Sequence, residues 1–186
     1  MSVSGIVILC LLNNEQSEEI TLMPFKYYKR LTASQRRVYD KSDEVTSVVI
    51  PKASELYPVV HMIEEALFRE DKGEIEIFCQ KLVSSLTTRL KTPSIQIKVL
   101  AVRPHNAYGE LHGLYNPSNR KTSAMITVWM RTAQLKKVAA FRTFLRTLLH
   151  ELCHHLDYEY FRFPHSFHTE GFYKRESSLF HQLVKD

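Results

Sequence analysis

One stretch near the C-terminus, residues 138–158, constrains the fold of this chain more than any other. At about 100° per residue, Phe141, Leu145, Leu148, Leu152 and Leu156 gather on one side of a helix. His150, His154 and Asp157 project from nearly the opposite side. Such a helix anchors its leucines in a core and turns its histidines toward a cleft. His155 falls toward the apolar side and reads as structural.

His150-Glu151-Leu152-Cys153-His154 is an H-E-x-x-H pattern. Residues four apart in a helix lie on one face, one turn apart, so two imidazoles at this spacing can hold one zinc ion. Glu151 lies about 100° around the helix from His150, which suits it to contact a water at the metal rather than the metal itself. Cys153, inside the motif, reads as a small buried packing residue.

A catalytic zinc takes three protein ligands and keeps a fourth position open. Candidates for the third are His165, His168, Asp157, Glu170 and Glu176. His168 is the first choice, because it follows the Pro164 break and just precedes a last helix, so the chain can fold back onto the first two ligands. Asp157 reads better as an acceptor that orients a ligand imidazole.

The rest of the chain supplies the walls. Thr32-Ala-Ser-Gln35 is a capping box opening a helix to about Glu44. Pro58 suits the first turn of a helix over 58–70. A third helix over 73–91 carries a stripe through Ile75, Phe78, Leu82, Leu86 and Leu90. Ile95, Ile97 and Val99 then alternate with polar residues as a strand, residues 108–116 read as a second strand, and 124–130 as a third. Gly109 and Gly113 point to a bulge or to close packing within the second. His112, on the same strand, could line the cleft, although a surface histidine is the commoner outcome. A last helix runs over 170–184. The order predicts an α+β domain with N-terminal helices, a small, mainly antiparallel three-stranded sheet, the H-E-x-x-H helix and a C-terminal helix.

Composition narrows the setting. The 186 residues suffice for one domain over 23–186, with 1–22 as an upstream extension, either a short strand or a disordered tail. The GIVILCLL run near the start is too short to span a bilayer and lacks the flanks of a signal peptide, so no membrane role is expected. Cys10, Cys79 and Cys153 form no C-x-x-C pair and no disulfide framework, which favours a reducing, cytoplasmic setting. The net charge of +5 is concentrated in Lys26, Lys29, Arg30, Arg36, Arg37 and Lys41, interleaved with Tyr27, Tyr28 and Tyr39. A patch of this kind over 26–41 could make weak contact with nucleic-acid phosphates, although a solvated helix face is the commoner outcome.

The segment Thr147–Leu179 resembles the active-site region of SprT-like zincin metallopeptidases, in an uncharacterised bacterial branch. In that family a His-x-x-x-Phe element after the H-E-x-x-H helix supplies the third zinc ligand, and His168-Thr-Glu-Gly-Phe172 matches it. The resemblance implies Zn2+ on His150, His154 and His168, Glu151 as general base, and a protein or peptide substrate. It also implies that an extended peptide pairs with the edge strand over 108–116. Tyr173, Arg175 and Tyr158 are the candidates for a second group on the oxyanion.

Overall fold

The computed structural model describes residues 25–106 and 109–185; the expected extension over 1–22 lies outside them. A short tight turn, Lys26–Arg30, leads into α1, Ala33–Glu44. The capping box forms: the Gln35 amide donates to Thr32 Oγ1 at 3.2 Å, and the Thr32 amide donates back to Gln35 Oε1 at 2.9 Å. Helices α2, Tyr57–Phe68, and α3, Lys72–Arg89, pack against each other. Asp71 caps α3 by accepting from the Glu74 amide at 3.0 Å. The α3 stripe is buried at Ile75, Leu82, Leu86 and the following Leu90, with Phe78 partly covered.

The chain then forms β1 (Gln96–Val102), a short ladder of β2 (His105–Asn106) with β3 (Gly109–Glu110), β4 (Gly113–Asn116) and β5 (Met125–Arg131). The main sheet has the order β1-β5-β4. It is mixed rather than mainly antiparallel: β4 runs antiparallel to β5, but β1 runs parallel to β5. The reason lies in the connection. The turn after β4 folds β5 back along it as a hairpin, and β1 then fills the other side of β5 in the same direction. Only residues 113–116 of the expected second strand join this sheet, because 109–110 pair with 105–106 instead. As the central strand, β5 is buried from Ile126 to Met130, as its continuous apolar run requires.

Register places Ile97, Val99, Tyr115, Ile126 and Val128 on one face, with Gly113 opposite Val128. Helix α4, Phe141–Glu159, lies over β4 and β5, with Leu145, Leu148, Leu152 and Leu156 buried. Helix α5, Glu170–Leu183, packs on α4 and on α1. Thr169 caps it, accepting from the Phe172 amide at 2.9 Å.

One buried cation ties these helices together. Arg175 of α5 donates to Asp157 of α4 at 2.9 Å and to the Ser42 and Val45 carbonyls at the end of α1 at 2.5 and 2.6 Å. Both members of the ion pair are buried. Breaking such a pair from one side costs about 3–5 kcal/mol, so α5 is held firmly against α4. Gly171 adds a steric lock: a Cβ there would lie 2.6 Å from the Ser42 carbonyl oxygen, and its amide donates to Asp43 Oδ1 at 2.8 Å. Among the described residues, no helix is long and apolar enough to cross a membrane.

Candidate metal centre and adjoining cleft

The H-E-x-x-H motif occupies the C-terminal half of α4. His168 stands in the short link between α4 and α5, so the docking of α5 described above sets its position. The structure brings His150, His154 and His168 together, with one ring nitrogen from each lying within 4.8 Å of the others. His150 Nε2 and His168 Nε2 face each other at 2.9 Å.

Hydrogen bonds to the opposite ring nitrogens hold two of the rings. His150 Nδ1 lies 3.0 Å from Glu176 Oε2 and donates to it. Ser166 Oγ donates to Asp157 Oδ2 at 2.6 Å and therefore accepts from His154 Nδ1 at 2.7 Å. His154 Nε2 is left unprotonated, buried and without a partner. Burial and the neighbouring imidazoles push the pKa values of His154 and His168 below the ordinary value, to about 3 for His168, so both rings are neutral at pH 7.

These features fit a zinc ion. A tetrahedral site with Zn–N bonds of about 2.0–2.1 Å separates its nitrogens by about 3.3 Å, within the spread found here. Three imidazoles, that of His154 with an orphaned buried nitrogen, are a donor set of the kind zinc takes. The outer hydrogen bonds from Glu176 and from the Asp157–Ser166 pair orient two of the rings. Burial lifts Asp157 to about 6, while Arg175 and Ser166 hold it down, so it is a carboxylate at neutral pH.

The other third-ligand candidates fall elsewhere. His165 is exposed beside the Phe167 ring, and Glu170 pairs with Lys174. Glu176 and Asp157 act on the rings of His150 and His154 rather than joining the cluster. Ser166 was missed by sequence reasoning, since a single serine in a loop carries no periodic or spacing signal.

Glu151 is buried next to the cluster. Burial pushes its carboxyl up to about 7, against the opposing pull of His150 and the Tyr115 backbone. The carboxyl rests on Gly113 of β4: a Cβ at that position would lie 2.7 Å from Glu151 Cγ and 2.8 Å from Cδ. Gly113 therefore serves close packing and not a bulge. Gly113→Ala should displace the Glu151 carboxyl while leaving the imidazoles alone. The expected result is bound metal unchanged from wild type with the environment of the Glu151 carboxyl altered, which metal analysis and the titration of that carboxyl check.

A small pocket of about 90 Å³ opens beside Glu151 and His150. Its walls come from α4 (Thr143, Arg146, Thr147), from Glu176 of α5 and from His112, just before β4. His112 is thus a cleft residue and not a surface histidine. Burial, then the charge of Arg103, lowers its pKa below the ordinary value.

Of the three candidates for an oxyanion group, two are engaged elsewhere. Arg175 is buried in its bonds to Asp157 and α1. Tyr158 stacks on Tyr115 at 6.1 Å and its hydroxyl bonds the Ser166 backbone. Tyr173 remains at the cluster, its ring 5.8 Å from that of His168. His155 is structural, lying 3.1 Å from Tyr115 Oη and 3.0 Å from the Pro93 carbonyl oxygen. Cys153 is buried packing, its thiol pushed upward by burial.

The basic stretch over 26–41 lies on the first turn and α1. Its tyrosines are mostly spoken for: Tyr39 is buried, Tyr28 donates to Asp40, and Tyr27 donates to the His168 carbonyl at 2.9 Å. The last of these bonds ties the N-terminal turn to the link that carries His168.

Comparisons with family models, with curated proteins and with solved structures find no match to this chain.

Proposed function

We propose that this chain is a zinc-dependent hydrolase of the zincin, SprT-like kind, which cleaves peptide bonds in a protein or peptide substrate in the cytoplasm. One observation carries the reading: three imidazoles converge, one with an orphaned buried nitrogen, and a buried carboxylate stands beside them at a cleft.

Zinc, when bound, supplies a Lewis acid that polarises a carbonyl and makes water acidic near neutral pH. Glu176 and the Asp157–Ser166 pair hold His150 and His154 with their Nε2 atoms turned inward. Glu151, with its carboxyl near 7, accepts the proton of the attacking water and returns it to the leaving amine. Gly113 keeps the carboxyl in place. The outer edge of β4 lies next to Glu151 and suits an extended peptide added as a further strand.

The test is metal analysis of the purified protein together with hydrolysis of fluorescently labelled, unfolded casein. The expected result is about one zinc per chain, as a three-histidine site holds, and hydrolysis abolished by 1,10-phenanthroline and restored by zinc. A protein that retains no divalent metal, or one that cleaves equally well after chelation, would overturn the proposal.

A further inference from the structure

From the cleft geometry we infer that His112 is a catalytic residue: its imidazole donates a hydrogen bond to the carbonyl oxygen of the scissile peptide bond as negative charge develops there. The inference rests on the hydrolase reading above and adds to it a group that lines the pocket with Glu151 and His150.

His112 and Glu151 line the same pocket, together with His150. His112 directly precedes Gly113, whose Cα supports the Glu151 carboxyl, so the backbone that sets the base also sets this ring. His112 Nδ1 is buried with no hydrogen-bond partner. That leaves the Nε2 edge as the one a substrate can reach. A polar ring half-buried in a cleft with an unpaired nitrogen contributes nothing evident to the fold, which points to a partner that arrives with the substrate.

Several other polar groups of the pocket are engaged. Thr147 donates to the Thr143 carbonyl at 2.9 Å. Arg146 lies 4.0 Å over the Phe180 ring and 3.4 Å from Glu176, whose other oxygen holds His150. His112 keeps a buried ring nitrogen without a hydrogen-bond partner.

The step balances without an added reagent. Water oxygen bonds to the carbonyl carbon, its proton passes to Glu151, and the carbonyl π pair moves onto oxygen. The His112 N–H donates to that oxygen and keeps its proton. The pair then returns to re-form the carbonyl, the C–N bond breaks, and the proton on Glu151 goes to the leaving amine. A donor aimed at the oxygen in the charged state lowers the barrier more than it tightens substrate binding.

The experiment compares zinc-loaded full-length protein with its His112→Ala and His112→Gln variants. It measures zinc content, binding of phenylphosphonate (a tetrahedral anion) by calorimetry, and casein hydrolysis. The expected result is equal zinc in all three. His112→Ala should lose about 100-fold in kcat with KM little changed, as removal of one oxyanion donor does. Its affinity for phenylphosphonate should fall at least tenfold, and His112→Gln, which keeps a donor, should recover part of both. Equal phosphonate affinity and equal kcat in the three proteins would overturn the role of His112 alone. So would zinc-loaded wild type that binds no phenylphosphonate. Wild type that retains no zinc would instead remove the hydrolase reading, and this role with it. Should His112→Ala fail to fold, His112→Phe, which keeps a ring and removes the donor, takes its place: the same losses support the role, and kcat and phosphonate affinity equal to wild type overturn it.

Discussion

Glu151→Gln should lower kcat/KM by about 10²–10⁴ while the protein keeps its full zinc content. The magnitude is what a positioned general base contributes. The split between activity and metal follows from the site. Glu151 is not one of the three clustered residues, and glutamine has nearly the same shape, so the packing against Gly113 survives. What disappears is the group that takes the proton. The pH profile of the wild type gives a second reading of the same residue. The base works only when deprotonated, so kcat/KM should fall as the pH drops through its pKa. Burial sets that value at about 7, and a cation held by the neighbouring imidazoles pulls it lower, so the acid limb should lie at or below neutrality and vanish in the glutamine variant. Measured turnover in Glu151→Gln equal to wild type would rule out the base. Equal function in an assay other than hydrolysis would identify a zinc-bound binding module instead.

His168→Ala should weaken zinc binding by more than the 10–100-fold typical of losing an outer hydrogen-bond partner, because it removes a ligand itself. The nearest substitutes do not reach. His165 is exposed against Phe167, and Asp157 is committed to Arg175 and Ser166. Competition with a chromophoric chelator measures the affinity. Thermal unfolding with and without added zinc supplies an independent value, since a metal that binds only the folded chain raises the midpoint with the logarithm of its concentration over Kd. The variant should show little of the zinc-dependent rise seen for wild type. Undiminished affinity would transfer the third position to Glu176, the carboxylate already touching His150.

How much was legible depends on how local each feature is. Helices α1 to α5 were readable to within three residues at each end, because each shows a local pattern: the Thr32–Gln35 box, Pro58, the apolar stripe of α3, the leucine stripe of α4 and the Pro164 break ahead of α5. Strands β1 and β5 were also found, since alternation in one and a continuous apolar run in the other are short-range patterns. Their parallel pairing was not, because nothing in either segment records which neighbour it meets or in which direction. The reading of residues 108–116 as one strand failed for the same reason. Residues 109–110 were drawn into a separate ladder with 105–106. His112 looked like a surface residue until β4 and α4 closed a pocket around it.

The sequence by itself determined the pair His150 and His154, with Glu151 turned from them, since the pitch of one amphipathic helix sets all three directions. It also placed His168 close enough along the chain to return. Only the tertiary structure decided that the return occurs. Arg175 and Gly171 seat α5 against α1 and α4, and that seating carries His168 to the other two imidazoles and Glu176 to His150. The physical reason is range. A helical turn repeats every few residues and leaves its mark in adjacent letters. A metal-sized gap between three rings depends on burial, ion pairing and close backbone contact among segments more than a hundred residues apart.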